Sequence, residues 1–392
     1  MIPTARVPLV WHNLTHDVRR LALAIGGIGF AVLLVFVQIG FRNALFDSTT
    51  KLASDMNADL VLVNKARYAL PVQQRFDRTR LLQALAIDGV QAAYPLYVER
   101  DFAILRTPGN KGYPIRVLAF ELSDPAFRYA ELSQFAQRLQ APNTALVDRR
   151  TKEKFGLPVH DEEQLRRTKA SLSDQVIEMA GTFELGTDFA HDGNLLMSTT
   201  NFAHYFPLRA RGADPLSLVD FGLLRLAPGA NAIAVQDAVI RALPNDVTVL
   251  TKDELVRREV AFWKASTPIG FIFTAGTIMG LVVGVIICYQ VIYTDIDDHL
   301  AEFATLKAMG YPRNYFLRVV LLESLYLAMF GFVPGWLVSY ALYRFLAEHT
   351  GLLMMMTPAR AVFVLVLTMI MCVVSGGLAL KKLLRADPAE LY

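Results

Sequence analysis

In the middle of this 392-residue chain two histidines each precede an acid, His160 before Asp161 and His191 before Asp192. Such pairs serve proton transfer or metal ligation when a further ligand lies at suitable spacing. Neither pair has one, so both read as solvated loop residues. Gly109-Asn110-Lys111-Gly112 is too short for a GxxxxGK[ST] phosphate loop, and neither an HExxH zinc helix nor a GxSxG elbow occurs. No catalytic, cofactor-binding or metal-ligating residue is therefore expected. An enzyme is not expected, and any ATP-driven action requires a separate ATPase subunit.

The residues with functional promise lie in and beside apolar runs. With 54% hydrophobic and 19% charged residues and a mean hydropathy of +0.35, the chain is too apolar for an ordinary soluble protein. Residues 21–41, 268–293, 319–343 and 361–380 each meet the length of about 20 apolar residues needed to cross a bilayer. Glu323 is the one formal charge inside them; it should face protein or reach the boundary, because an unpaired charge there is costly. Gly276, Gly280 and Gly284 recur every fourth residue and form a smooth stripe that admits another helix, of this chain or of a second one. Cys288 and Cys372 both fall in these runs, so no disulfide braces the rest.

Basic residues cluster before the first run, between the second and third, and after the fourth. The positive-inside rule then puts both termini and residues 294–318 in the cytoplasm, and residues 42–267 and 344–360 outside. Residues 1–20 read as an interfacial helix carrying Trp11, and 381–392 as a cytoplasmic tail. The first run is too long for a secretory signal core and reads as a retained anchor. The fold class is an α-helical membrane protein with four transmembrane helices and a large α+β extracytoplasmic domain between helices 1 and 2.

The cytoplasmic stretch 294–318 reads as a short amphipathic helix from about Asp298 to Met309. Leu300, Phe303 and Leu306 share one arc, Asp297, Asp298 and Glu302 lie in the first turns, and Gly310 and Pro312 end it. It can lie on the membrane surface or dock a soluble partner.

In the outer segment, residues 42–57 continue the first span as a stalk. A capping box at Thr251 and Glu254 opens a returning stalk that Pro268 interrupts. Strands are expected at 59–63, 102–105, 115–120, 220–226 and 247–250, with helices at 80–87 and 232–243. The two ends of the segment share one grammar and form one layered α+β unit. The middle, 127–215, reads as an inserted second lobe with strands at 145–147, 175–183 and 194–197 and a charged insert at 160–169.

The run Glu302-Phe303-Ala304-Thr305-Leu306-Lys307-Ala308-Met309-Gly310, followed by Leu321-Leu322-Glu323-Ser324, resembles the E-x-x-T-L-K-A-x-G and L-L-E-A words of MacB/FtsX-like permeases. Ala386-Asp387-Pro388-Ala389-Glu390 is similar to their D-P-A-E ending. The resemblance is nearer still to the DevC branch, through residues 267–273, Tyr293-Thr294-Asp295, His299-Leu300 and Asn201-Phe202. It implies a permease of the bacterial inner membrane that works as a homodimer with a cytoplasmic ABC ATPase carrying ATP and magnesium. It further implies a periplasmic membrane-fusion adaptor, a TolC-like outer-membrane channel and lipid or glycolipid-like cargo, with no nucleic acid. ATPase coupling would fall to Leu300, Glu302, Phe303, Leu306, Lys307 and Gly310. An FtsX-type regulator of a periplasmic cell-wall hydrolase has the same four-span plan and is the alternative.

Overall fold

The computed structural model describes residues 18–109, 111–127, 129–210, 212, 214–298, 305–306 and 309–385. Of the interfacial helix expected over 1–20 only residues 18–20 are described, and of the tail expected over 381–392 only 381–385. The chain divides into a helical unit, Met1–Asn43, Ile269–Phe345 and Met354–Tyr392, and an outer unit, Ala44–Pro268 and Leu346–Leu353.

Helix α1, Val18–Asp55, opens the described chain, beginning in the helical unit and ending in the outer one. At 38 residues it is about 57 Å long, nearly twice the hydrocarbon thickness of about 30 Å. The outer unit follows in the order β1 Leu60–Asn64, β2 Phe76–Asp77, α2 Thr79–Leu85, β3 Val90–Glu99, β4 Ile104–Arg106, β5 Tyr113–Pro114, β6 Arg116–Phe120 and α3 Ala130–Leu139. Next come β7 Thr144–Asp148, α4 Glu162–Arg167, β8 Ala170–Leu172, β9 Gln175–Phe183, β10 Asn194–Ser198, α5 Thr199–Tyr205, β11 Leu218–Val219 and β12 Phe221–Leu226. The unit closes with α6 Ala232–Ala242, β13 Val247–Thr251 and α7 Lys252–Ser266.

Eleven of these strands form one sheet in the order β13-β1-β12-β3-β6-β10-β7-β9-β8-β4-β5. Its first four strands, all antiparallel, with α2 and α6 in the crossovers, make a split βαβ pair from the two ends of the segment. The middle is no free-standing lobe, however. It leaves the first half after Glu99, earlier than residue 127, and β6 pairs with β3, so the edge of the first half is continued by the second. An uncovered β3 would leave a row of unpaired backbone groups.

Side-chain alternation builds a core on each face of this sheet. Leu60, Leu62, Val117, Ala119, Leu195 and Met197 point to one side, and Val61, Val63, Leu118, Phe120, Leu146 and Leu196 to the other. Strands β6, β7 and β10 are buried throughout. Their runs RVLAF, TALVD and NLLMS are accordingly almost continuously apolar.

Where the second half departs and returns, charge is buried. Glu99 ends β3 and Asp220 precedes β12, and both are fully buried. Arg67 bonds Asp220 at 3.0 Å, Arg75 bonds Glu99 at 2.7 Å and approaches Asp220 at 3.5 Å, and Arg209 pairs with Asp220 and lies 3.7 Å from Glu99. Asp220 also accepts from the Val98 amide at 2.8 Å. Burial holds the Arg67 guanidinium down to about 10, against the opposing pull of Asp220; it stays charged.

The return to the membrane follows the expected capping box. Thr251 accepts from the Glu254 amide at 3.2 Å and the Glu254 carboxylate from the Thr251 amide at 2.8 Å. Lys252 of α7 reaches the Met56 carbonyl at 2.8 Å, tying the roots of the two stalks together. Glu259, nearly fully buried, accepts from the Leu70 amide and the Trp263 indole, each at 2.7 Å. After Thr267 and Pro268 the chain re-enters the helical unit as α8, Ile269–Asp298, followed by α9, Arg313–Thr350, and α10, Pro358–Arg385.

Removing one partner from a buried ion cluster leaves the others uncompensated, at a cost of about 3–5 kcal/mol. Asp220→Ala is therefore expected to lower the stability of the outer unit by about that much, read as denaturant unfolding of the full chain in detergent. A loss below about 1 kcal/mol would show that the cluster does not join the two halves of the sheet.

Candidate functional site

Helices α1, α8, α9 and α10 are long and apolar enough to cross a membrane. Apolar helices gain little hydrophobic drive against lipid, so their association depends on close approach and interhelical hydrogen bonds. Helix α1 lies between α8 and α9 and is gripped by glycine on both sides. A Cβ on Gly335 would lie 2.7 Å from the Gly29 carbonyl, one on Gly29 would lie 3.3 Å from the Gly331 carbonyl, and one on Gly331 would meet Ile28. The Tyr343 hydroxyl of α9 donates to the Phe36 carbonyl of α1.

The stripe on α8 answers from the other side. A Cβ on Gly276 would meet the Gln38 amide, one on Gly280 would lie 3.3 Å from Val35, and one on Gly284 would meet Met371 of α10 and lie 3.0 Å from Ala31. The three glycines thus face helices of their own chain. Helices α8 and α10 are further joined by Ser375, which donates to the Val285 carbonyl at 2.9 Å, and by Cys288 and Cys372, whose sulfurs lie 3.2 Å apart. Glu323 is buried within this unit. Beside it, Ser324 fills the space that a Cβ on Gly376 would take.

The segment between α8 and α9 is described in part. Leu300, Glu302, Phe303 and Lys307 lie outside the described residues. Leu306 is half-buried and, like Thr305, helical, and Gly310 takes φ +90 before Pro312 and α9. Asp297 and Asp298, which the sequence places in the first turns of a separate helix, lie within α8. No helix-breaking residue separates Tyr293 from Asp298, so α8 runs on.

Comparison with known proteins agrees with this plan. Residues 273–388 match the model of the FtsX-like permease C-terminal family. Residues 21–242, more than half of the chain, match that of the MacB-like periplasmic core domain. The chain belongs to the MacB/FtsX-like permeases. Such permeases are multi-pass membrane components of ABC systems whose ATPase is a separate subunit. No curated protein matches the sequence. Among solved structures, the periplasmic region of MacB from Actinobacillus actinomycetemcomitans is similar at 9% identity, covering 53% of this chain and 94% of that one, with a TM-score of 0.34. The extracellular domain of the noncanonic ABC-type transporter YknZ from Gram-positive bacteria is similar at 11% identity, covering 50% and 99%, with a TM-score of 0.32.

In this permease a second sequence expectation is overturned in the outer unit. His191 is not a solvated loop residue. It is buried, its Nδ1 lies 2.9 Å from Asp188 and 3.1 Å from Arg116, and Arg116 bonds Asp188 at 2.8 Å and Asn194 at 2.7 Å. The missed signal is the D-x-x-H spacing of Asp188 and His191, which closes a tight turn over Arg116. His160 is exposed, as expected, and Asp161 beside it caps α4 by accepting from the Glu163 and Gln164 amides, each at 3.0 Å. That cap organises the charged insert. Among the described residues no cluster of His, Cys, Asp or Glu could hold a metal ion.

Burial and then the Arg116 charge hold the His191 imidazole below its ordinary range, against the pull of Asp188. The unfolded chain takes up this proton near pH 6.5 and the native one only at lower pH, so stability falls as pH drops through about 6.5. Asp188 is held below the usual carboxylate range by Arg116 and His191, against its own burial, and stays ionised there. The melting temperature of the wild type is expected to fall more between pH 7.5 and 5.5 than that of His191→Gln; equal slopes would remove His191 from the balance.

Forcing branched carbons into a close-packed contact costs about 1–3 kcal/mol. Gly280→Leu, which must part α8 from Val35 and Leu34 of α1, is expected to lower melting in detergent by several degrees, whereas Gly280→Ala changes it little. Unaltered melting of the leucine variant would place the stripe against lipid.

Proposed function

We propose that this permease is the membrane subunit of an ATP-driven tripartite exporter that relays ATPase motion to its outer unit. The observation that carries the reading is the continuity of α1 and α9, each of which begins in the helical unit and ends in the outer one. An α-helix satisfies its backbone internally and holds its length, so it can carry displacement through and beyond a membrane. On this reading both termini and residues 294–318 are cytoplasmic, and the protein resides in a bacterial inner membrane. ATP and magnesium bind the partner ATPase. Leu300, Phe303 and Leu306 pack against that subunit, with Glu302 and Lys307 at the rim and Gly310 ending the helix. A second copy, a membrane-fusion adaptor and a TolC-like channel complete the assembly, and the DevC-like words favour lipid or glycolipid-like cargo.

Burying a large apolar side chain contributes about 1.5–3 kcal/mol, and placing a charge there costs at least as much. Phe303→Asp is therefore expected to leave membrane abundance unchanged while reducing ATPase co-purification, permease-stimulated ATP hydrolysis and export together, each by at least about tenfold. Wild-type ATPase binding by the inserted variant would overturn the docking role. Recovery of a cell-wall hydrolase in place of an adaptor would instead favour the FtsX-type regulator.

A further inference from the structure

The chain segment Leu346–Leu353, which ends α9 and starts the loop to α10, packs with the outer unit. Gly351 closes the helix with its amide donating to the Ala347 carbonyl at 3.1 Å, and takes φ +71. That conformation favours glycine, and so does the space: a Cβ here would lie 2.7 Å from the Arg150 carbonyl and 2.8 Å from the Thr187 hydroxyl. Leu353 is buried and packs over Gly186, where a Cβ would lie in ordinary contact, 3.4 Å, with the Leu353 side chain.

The walls of this socket come from two places and meet on one buried carboxylate. Asp148, at the end of β7, accepts from the Arg150 amide at 3.0 Å, from the Gly186 amide at 2.7 Å and from the Asn194 side chain at 2.6 Å. Asn194 donates in turn to the Gly186 carbonyl at 2.9 Å, and its oxygen accepts from Arg116 at 2.7 Å. Residues 150 and 186–187 are therefore held by the interior of the second half of the sheet rather than by a free loop. The Thr187 hydroxyl is fully buried without a hydrogen-bond partner. Docking thus deprives it of water, and removing the hydroxyl would favour the docked state.

We propose that this socket is a second drive point of the permease, through which α9 moves the second half of the outer sheet directly while α1 and α7 move the first half at β1 and β13. The inference rests on the chain being coupled to an ATPase. The 38-residue α9, about 57 Å long, joins the segment assigned to ATPase docking at one end to the socket at the other.

The test uses the full-length permease with its co-purified ATPase and reads hydrogen exchange at residues 186–188 and 350–353 together with permease-stimulated ATP hydrolysis. Gly351→Val is expected to speed exchange at both sites at least tenfold and to cut the stimulation several-fold. Thr187→Val is expected to slow exchange at both and to keep stimulation at or above the wild-type level. If Gly351→Val also speeds exchange across β7 and β10, the variant has lost its fold, and Leu353→Ala, which empties the socket without straining the backbone, takes its place with the same expectation. An opened socket with wild-type stimulation would overturn the proposal, as would rapid exchange at these residues in the wild type. A wild-type permease that does not stimulate the ATPase would instead overturn the coupling reading itself.

Discussion

Glu99 and Asp220 are buried against Arg67, Arg209 and the partly buried Arg75 where the two halves of the eleven-stranded sheet meet. They mark the points at which the chain leaves the split βαβ half and comes back to it more than a hundred residues later. Backbone pairing between β3 and β6 begins immediately beside them, with Glu99 opposite Val117. Neutral groups in those positions would avoid the desolvation cost, which for buried ions is large and is recovered only with good geometry and full hydrogen bonding. Here the geometry is good: Asp220 receives Arg67, Arg209 and the Val98 amide, and Glu99 receives Arg75 and the Arg100 and Asp101 amides. Such a cluster admits one arrangement and tolerates little slippage, which suits a joint between two halves.

That joint is important because the halves hang from different helices. The stalk end of α1 leads into β1, and α7 leaves from β13; these neighbouring strands pair from Leu60 opposite Thr251 onward. The first half is therefore joined directly to these two stalks. The end of α9 is seated instead among Arg150, Gly186 and Thr187, beside β7, β9 and β10. The two places are connected through one continuous sheet and its ionic joint. The break at Thr267 and Pro268 relieves one stalk of stiffness, because proline denies the helix an amide donor and disfavours helical backbone before it, while α1 continues unbroken.

Much of this plan was legible in the chain. Four spans followed from length and apolarity alone, since no soluble fold asks for four such runs. Short strands such as 175–183 and 247–250 followed from β-branched runs between turn residues, and the Thr251 capping box from four consecutive side chains. The long central strand β3 escaped because Pro95 sits inside it, an argument against a strand with neighbours on both sides. Its place is tolerable where Pro95 faces Gly222, which has no side chain to crowd it. The ionic joint escaped for a different reason. Arg67, Arg75, Glu99, Arg209 and Asp220 are scattered over 150 positions and carry no local pattern, so only the fold brings them together. His191 was misread because its adjacent acid, Asp192, turns to Lys152 and Lys154, whereas the partner that matters is three residues earlier.

The helical unit was legible in type but not in partner. A glycine every fourth residue on α8 announces a close helix without saying which, because the same smooth surface serves any neighbour. The decision comes from α1, whose Gly29 meets Gly331 and Gly335 on one side while Gln38, Val35 and Ala31 meet the α8 stripe on the other. A helix held this closely on two sides has little freedom to slide, since either side chain contact would have to be opened to do so. It is better suited to tilt with its neighbours than to move past them. Tilt at the level of the bundle becomes displacement at the far end of a long helix, in proportion to the length beyond the pivot. On the proposed reading, α1 past Asn43 and α9 past Phe345 are the lengths of helix through which a small rearrangement among packed helices would reach the outer sheet.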